Sequence, residues 1–400
     1  MYKTAKRRVA AAQTDDRASP SVPQIRRRHR YDVAVLTSTF RRHARDAAGS
    51  FLADLTDAIP LEFVVVCPDD PLHERHTRIE RRTFFHANVF YGSGAVSNLR
   101  SYGARSRAAL AAFHAVLSML RTSLRATRQS ATIWSHWALP GGLVGALCRL
   151  VWRRRHVLLL HSGDVWLLER LRFGGLLARF ISSQTDEVYA VTAELARRFA
   201  ALTGRHAKVL GCGVQPNGRT HAASAPVRVG TLARLVPSKG ALALARLHAS
   251  IDAELHIAGA GPEGRELETI AGNSLHVRGE LTGEAKLEYL RSLDVFLAPY
   301  MRSEWGQGEG LPVAVLEAMA AGCPVVAFTA AVPAGLIENG GNGWLVADGD
   351  FAALIAKANE LIADPAARAR MGVAARLRIE PYLLPRVAWQ WTKILTPSTS

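Results

Sequence analysis

Two carboxylates eight positions apart, Glu309 and Glu317, stand in the run EGLPVAVLEAMAAGCPVVA (309–327). Glu309 falls in a loop after a strand expected at 294–299, and Glu317 falls in the helix that follows. That helix is expected to begin near Leu311, with Pro312 in its first turn, where proline is well tolerated. A helix start offers unpaired N–H groups to a phosphate. Pro312 has none, so Gly310, Leu311 and Val313 are the candidate donors. An ionised carboxylate accepts two hydrogen bonds, which suits Glu317 to a pair of ribose hydroxyls. Two surface glutamates on an ordinary helix is the competing reading. Arg234 and Lys239 lie in GTLARLVPSKG (230–240). A guanidinium fork plus an ammonium can neutralise a leaving nucleoside diphosphate without a metal ion. The chain has only 7 Lys against 43 Arg, so Lys239 is notable. Two solvated loop cations would explain the pair equally well. His161 closes a strand expected at 156–162 and points at a presumed cleft, and Asp164 follows, suited to orienting an acceptor or the loop. A lone strand-end histidine is more often structural.

The elements that must hold these residues are legible as alternating strands and helices. YDVAVLTS (31–38), LEFVVVCP (61–68), ATIWSH (131–136), HVLLLHS (156–162), DEVYAVT (186–192) and AKVLGCGV (207–214) read as strands. Helical stretches, such as Arg105–Arg125 and Ala193–Ala201, lie between them. The pattern restarts after a loop at Gln215–Pro226. PVRVGTLAR (226–234), ELHIAG (254–259), SLHVRG (274–279), DVFLAP (294–299), CPVVAF (323–328) and GWLVAD (343–348) are the further strands, with a helix near 240–249. Strands alternating with helices imply α/β architecture with parallel sheets. Two Rossmann-like domains should face each other across a cleft at the carboxyl ends of their strands. The expected division is a basic disordered tail at 1–30, a first domain at 31–218, a second at 219–375, and a final segment at 376–400 that crosses back to the first.

The 400 residues carry a formal charge of +16, unevenly placed. Residues 1–30 hold +7, 31–226 hold +11, 227–375 hold −5 and the remainder +3. The basic front half suggests an anionic partner: nucleic acid, an anionic membrane or a phosphorylated substrate. Two uncharged windows, Gln129–Cys148 and Ala318–Ile337, are broken by Pro140-Gly141-Gly142 and by Gly322, Pro324, Pro333 and Gly335. They read as strand–turn–helix rather than membrane spans. Cys67, Cys148, Cys212 and Cys323 are far apart and form no C-x-x-C pair, so neither a disulfide framework nor a zinc site is expected and a reducing cytoplasm is the default. No apolar stretch follows the basic start before Tyr31, as a secretory signal would require.

Other signals carry plainer explanations. GAGPEG (259–264) spells G-x-G-x-x-G, but it follows the second strand of its domain, whereas a dinucleotide fingerprint follows the first. Asp348-Gly349-Asp350 fits a polar turn better than a metal motif. Arg100–Arg128 holds six arginines and no acid, with Leu110, Phe113, Leu117, Leu120 and Leu124 at helical spacing. It suits a helix packed on the sheet, or one lying on an anionic membrane. Trp152 with Arg153-Arg154-Arg155 is a second basic patch. Trp134, Trp137 and Trp166 belong to the core or to an acceptor groove.

The segment 309–327 resembles the E-x(7)-E signature of glycosyltransferase family 4, the large retaining GT-B family of group 1 type. GTLARLVPSKG resembles that family's G-R-L-x-x-x-K-G segment, with Ala233 in place of the glycine. IAGAGPEGREL (257–267), GELTGEAKLEYLRSLDVFLAP (279–299), NGWLVADGD (342–350) and HSGD (161–164) are similar to further family segments. The resemblance runs from about Tyr31 to about Pro381 and is densest over 226–375.

The resemblance implies a retaining, metal-independent hexosyltransferase that needs no cofactor. Glu309 would hold the donor sugar's hydroxyls, His161 would lie near the transferred carbon, and Arg234 and Lys239 would meet the diphosphate. Glu317 would hold ribose, and His276–Leu281 would flank the base. TSTFRRHARDAAGSF (37–51) occupies the family's glycine-rich loop, with Gly49 where a glycine pair is common. Arg41, Arg42 and Arg45 either meet an acceptor or are simply solvated. The second domain would take the nucleotide-sugar. The basic first domain would take a saccharide or lipid-linked acceptor at the inner face of the membrane, in cell-surface polysaccharide or glycolipid synthesis. No nucleic-acid partner is expected. A nucleotide-sugar epimerase of the same fold and a basic nucleic-acid-binding protein are the alternatives.

Overall fold

The computed structural model describes residues 29–43, 46–69, 79–85, 105–218, 226–302 and 308–396. The basic tail up to residue 28, Arg45, the start of Arg100–Arg128, and the middle of the 215–226 loop lie outside these residues. The chain opens with β1 (Tyr31–Leu36), α1 (Ser50–Ala58), β2 (Phe63–Pro68), β3 (Ile79–Phe84), α2 (Arg105–Arg128) and β4 (Ser130–His136). A wide turn at Trp137–Gly142 leads into α3 (Leu143–Trp152) and β5 (Arg155–Leu160). Then come α4 (Gly163–Arg170), α5 (Gly174–Ser183), β6 (Glu187–Ala190), α6 (Ala193–Thr203) and β7 (Lys208–Val209). These strands form one parallel sheet in the order β3-β2-β1-β4-β5-β6-β7.

The second unit runs β8 (Arg228–Leu232), α7 (Ala241–Arg246), β9 (Glu254–Ala258), α8 (Gly264–Ile270), β10 (Leu275–Val277), α9 (Gly283–Ser292) and β11 (Val295–Ala298). It continues through α10 (Val313–Ala320), β12 (Val325–Phe328), β13 (Gly343–Val346), α11 (Phe351–Ala363) and α12 (Pro365–Ile379). Its parallel sheet has the order β10-β9-β8-β11-β12-β13. The chain turns back at residues 380–383, where Val214 bridges Leu383. The last helix, α13 (Leu384–Leu395), then packs on the first sheet. Buried Trp391 lies 4.8 Å from Trp134 and donates its indole N–H to Gly211 O at 2.8 Å. Residue 375 itself sits inside α12, so the crossing begins only where Glu380-Pro381 interrupts the helix.

Both sheets are buried on their two faces, which is why their strands read as nearly unbroken apolar runs. β3 escapes that signature. It is an edge strand, IERRTF, whose charges reach its rim, with Arg30 and Arg82 paired to Glu80. AKVLGCGV gives only a two-residue strand, because from Gly211 onward the chain leaves the sheet edge to meet the returning C-terminal segment. Gln129–Cys148 does run strand, turn, helix. Ala318–Ile337 does not: it is the end of α10, then β12, then a loop. Gly322, at φ 79°, stops the helix in a left-handed turn. No helix among the described residues is long and apolar enough to cross a membrane.

Candidate functional site

β5 and β11 deliver the chain from the two sheets to one place. After β5, His161 and Ser162 lead into α4. After β11, the loop from Pro299 leads to Glu309, Gly310 and α10. A Cβ on Gly310 would lie 2.6 Å from His161 O and 2.9 Å from Ser162 Cβ, so only glycine fits where the domains touch. Leu311 beside it packs against the cores of both domains.

α10 begins at Val313, not Leu311. Pro312 is its N-cap, at φ −80° and ψ 88°, and its carbonyl accepts from Val315 and Leu316. The φ is compatible with a helix but the ψ is not, which leaves Pro312 just outside the helix rather than in its first turn. The N–H groups of Gly310, Leu311, Val313 and Ala314 consequently have no partner among the described residues. Ala314 is a donor the sequence did not single out.

Two ion pairs flank this row of N–H groups. Lys239, held in the turn after β8, is buried and paired with Glu309, and its ammonium sits 4.3 Å from the Tyr300 ring centroid. Gly240 permits that turn: its φ is 65°, and a Cβ there would strike Pro299 O at 2.4 Å. Glu317, one turn into α10, is buried and paired at 2.5 Å with Lys286 of α9. Burial raises the Glu317 carboxyl and Lys286 opposes the rise. The charge of Asp54, from α1 of the first domain, reaches both. Lys286 was not anticipated, although the scarcity of lysine that marks Lys239 marks it too. Arg234 is exposed, with no side-chain partner among the described residues.

Across the contact, the His161 ring is stacked on Trp137 at 4.2 Å and flanked by Phe51 of α1 at 5.7 Å. Enclosure by these rings pushes His161 down to about 3. Its Nε2 lies 3.1 Å from Nδ1 of His136, a fully buried residue that sequence reading passed over. Asp164 is buried and orients the loop: its carboxylate accepts from Ala138 N–H at 2.7 Å and from His161 N–H at 3.3 Å. Burial raises its carboxyl against the pull of those N–H groups. Trp134 and Trp166 are core, while Trp137 faces His161.

The remaining candidates are committed locally. Gly49 caps α1 at φ 72°, and a Cβ there would meet Phe40 Cα at 2.7 Å, so its close approach is to protein backbone. Arg41 pairs with Asp54 at 3.3 Å, and Arg42 with Asp46 at 2.8 Å. GAGPEG wraps over the loop after β8. A Cβ on Gly259 or Gly261 would lie 1.8 Å from Ala233 O or 2.3 Å from Leu235 O, which accounts for those glycines. Asp348 accepts from Ala330 N–H at 2.6 Å and Asp350 caps α11, so both carboxylates serve turns.

Among the described residues, two sets bring three metal-ligating atoms within 4.8 Å: His136, His161 and Cys212, and Glu254, His256 and His276. In the first, the two imidazoles bond each other. In the second, Arg278 donates to His256 Nδ1 at 3.1 Å. That leaves the proton of neutral His256 on Nε2, directed at Glu254 Oε2 3.3 Å away, where a metal would need a lone pair.

The glycosyl transferases group 1 model matches residues 226–364. A GDP-mannose-dependent phosphatidylinositol monomannoside mannosyltransferase of Mycolicibacterium smegmatis is 32% identical over 288 residues, 65% of this chain and 73% of that one. The chain belongs to the group 1 glycosyl transferases, family 4. The amylovoran biosynthesis glycosyltransferase AmsK of Erwinia amylovora is 34% identical over 181 residues, covering 41% of this chain and 43% of that enzyme. Among solved structures, Anabaena Alr3699/HepE in complex with UDP superposes with TM-score 0.67 at 18% identity, over 91% of this chain and 99% of that one. Sucrose-phosphate synthase of Thermosynechococcus elongatus gives 0.68 at 17%, over 91% and 98%. The fold of this family 4 chain is therefore GT-B, two Rossmann-like domains across a cleft.

Proposed function

We propose that this chain is a retaining, metal-independent hexosyltransferase that moves a sugar from a nucleotide-sugar to a saccharide or lipid-linked acceptor in cell-surface polysaccharide or glycolipid synthesis. The observation that carries the reading is the row of unpartnered N–H groups at 310–314, flanked by Lys239–Glu309 and Lys286–Glu317 and abutting His161. Such a row favours a diphosphate. Lys239 would move from Glu309 to that diphosphate, joined by the uncommitted Arg234, and so release the Glu309 carboxylate to the sugar's hydroxyls. Glu317 would take the ribose. As the bond from the sugar's C1 to the diphosphate oxygen breaks, the acceptor oxygen bonds to C1 from the same face, and its proton passes to the leaving phosphate. The M. smegmatis relative is named for GDP-mannose and HepE was solved with UDP, so both bases belong in the test.

The acceptor would come from a membrane surface, with the protein peripheral on its cytoplasmic face. Leu171, Phe173 and Leu176 are exposed on the first domain beside Arg170, Arg172 and Arg179. Leu110 and Phe113 are exposed near the start of α2. α2 and α5 each precede a strand of a parallel sheet, so their first turns lie at the cleft end of the domain.

A thermal-shift panel of UDP, GDP, ADP, NAD and duplex DNA, run on wild type and Glu317→Ala, tests the reading. One nucleoside diphosphate should raise the melting temperature of the wild type alone. Sugar transfer with retained anomeric configuration should then persist in EDTA. Stabilisation only by NAD or DNA would sink the transferase reading, and epimerised donor without acceptor would favour the epimerase.

A further inference from the structure

His136 ends β4 with no surface in the cleft. Its Nδ1 and His161 Nε2, 3.1 Å apart, share one proton: one ring's N–H donates and the other's lone pair accepts. The direction follows from the far side of His136, where Nε2 is buried and has no partner among the described residues. Were His161 the donor, His136 would carry its own proton on Nε2, a buried N–H with nothing to receive it. With His136 donating from Nδ1, Nε2 is only a bare lone pair, and buried acceptors go unsatisfied more readily than buried N–H groups.

We infer that His136 is a positioning residue that sets the tautomer of His161: His136 Nδ1–H donates to His161 Nε2, and His161 therefore carries its proton on Nδ1. That Nδ1 has no partner among the described residues and is not sealed from solvent, so it is the group His161 offers to the cleft. Burial holds both rings far below the ordinary imidazole range, so neither charges near neutral pH and the tautomer alone decides what His161 can do. What the N–H meets rests on the transferase reading: a hydroxyl oxygen of the donor sugar, whose lone pairs can accept from it.

Two-bond ¹⁵N–¹H correlation spectra at pH 7 report which nitrogen of His161 is protonated, with its signals assigned by their loss in His161→Gln. The expected result in the wild type is a proton on Nδ1; a proton on Nε2 overturns the inference, whatever the variants do. His136→Asn keeps an N–H close to the place of Nδ1, while His136→Phe keeps a ring without one. The Asn variant should retain the Nδ1–H tautomer and most of kcat. The Phe variant should lose the single tautomer, and kcat should fall about ten-fold, the worth of one hydrogen bond, with KM for the nucleotide-sugar little changed. A Phe variant with the wild-type tautomer and kcat refutes the role of His136. Failure of the transferase reading looks different: the wild-type tautomer is as stated, and no nucleotide-sugar is turned over.

Discussion

Lys286→Met should destabilise the folded chain in a way that depends on pH. Glu317 and Lys286 side chains are 7% and 18% exposed, and their charged atoms lie 2.5 Å apart. Methionine keeps the stem and removes the ammonium. The buried carboxylate then has two courses. It can remain ionised and uncompensated, at a cost of about 3–5 kcal/mol. Or it can bind a proton: at pH 7, holding a carboxyl of ordinary value about 4.3 in its neutral form costs roughly 3.7 kcal/mol, at about 1.36 kcal/mol per pH unit. The two routes agree on about 3–4 kcal/mol. The proton route eases as pH falls, because the folded variant keeps a proton that the unfolded chain releases above its own pKa. At pH 5 about 1 kcal/mol should remain. The double variant Lys286→Met/Glu317→Gln carries neither charge and should stay within about 1 kcal/mol of wild type at both pH values. Thermal unfolding of the full chain measures this. At about 2–4 °C per kcal/mol, the single variant should melt roughly 10 °C below wild type at pH 7 and about 3 °C below it at pH 5. A single variant melting with the wild type at pH 7, or a double variant no better than the single, refutes the reasoning.

Gly310→Ala forces a methyl into the contact with His161 O, and the displacement should lower kcat/KM about 100-fold while nucleoside diphosphate still raises the melting temperature; wild-type turnover would show that the domains do not meet there in the active state. His136 and His156 are buried and held neutral, His156 down to about 4. Their folded values lie below the unfolded one near 6.5, so the unfolded chain gains protons first as pH falls. In urea unfolding the wild type should lose about 1.4 kcal/mol more stability per pH unit between about 6 and 5 than His156→Gln, which has no imidazole to charge, and parallel profiles would contradict the assigned burial. Phe173→Ser/Leu176→Ser should reduce co-sedimentation with anionic vesicles and leave transfer to a soluble acceptor analogue unchanged; equal retention on the vesicles would exclude this surface.

The parallel α/β architecture was legible because both sheets are covered on two faces, which makes each strand a short apolar run bounded by turn residues. The elements that misled are those at the margins. β3 hides its pairing under charges that an edge strand tolerates, and 207–214 looks like a strand although most of it serves the returning C-terminus. Glu309, Glu317, Lys239 and Arg234 could be picked out by chemistry and spacing, with solvated surface groups as the competing reading, whereas His161 gained its expected role only through the family resemblance. Gly49 and the glycines of GAGPEG were visible as glycines, but their reason, contact with Phe40 and with the loop after β8, was not.

By itself, then, the sequence determined what is local: apolar period, turn chemistry, and a proline that must stand at the start of a helix. It also carried the segments that place the chain in its family. Tertiary structure alone decided which charges meet. Lys239 and Glu309 are 70 positions apart, Lys286 and Glu317 31 apart, and His136 and His161 25 apart. No local periodicity encodes those distances. They arise because parallel strands β4 and β5, and β8 and β11, end side by side, and because α9 packs beside α10. The carboxyl ends of both sheets then face one another where Gly310 leaves room for nothing larger than hydrogen.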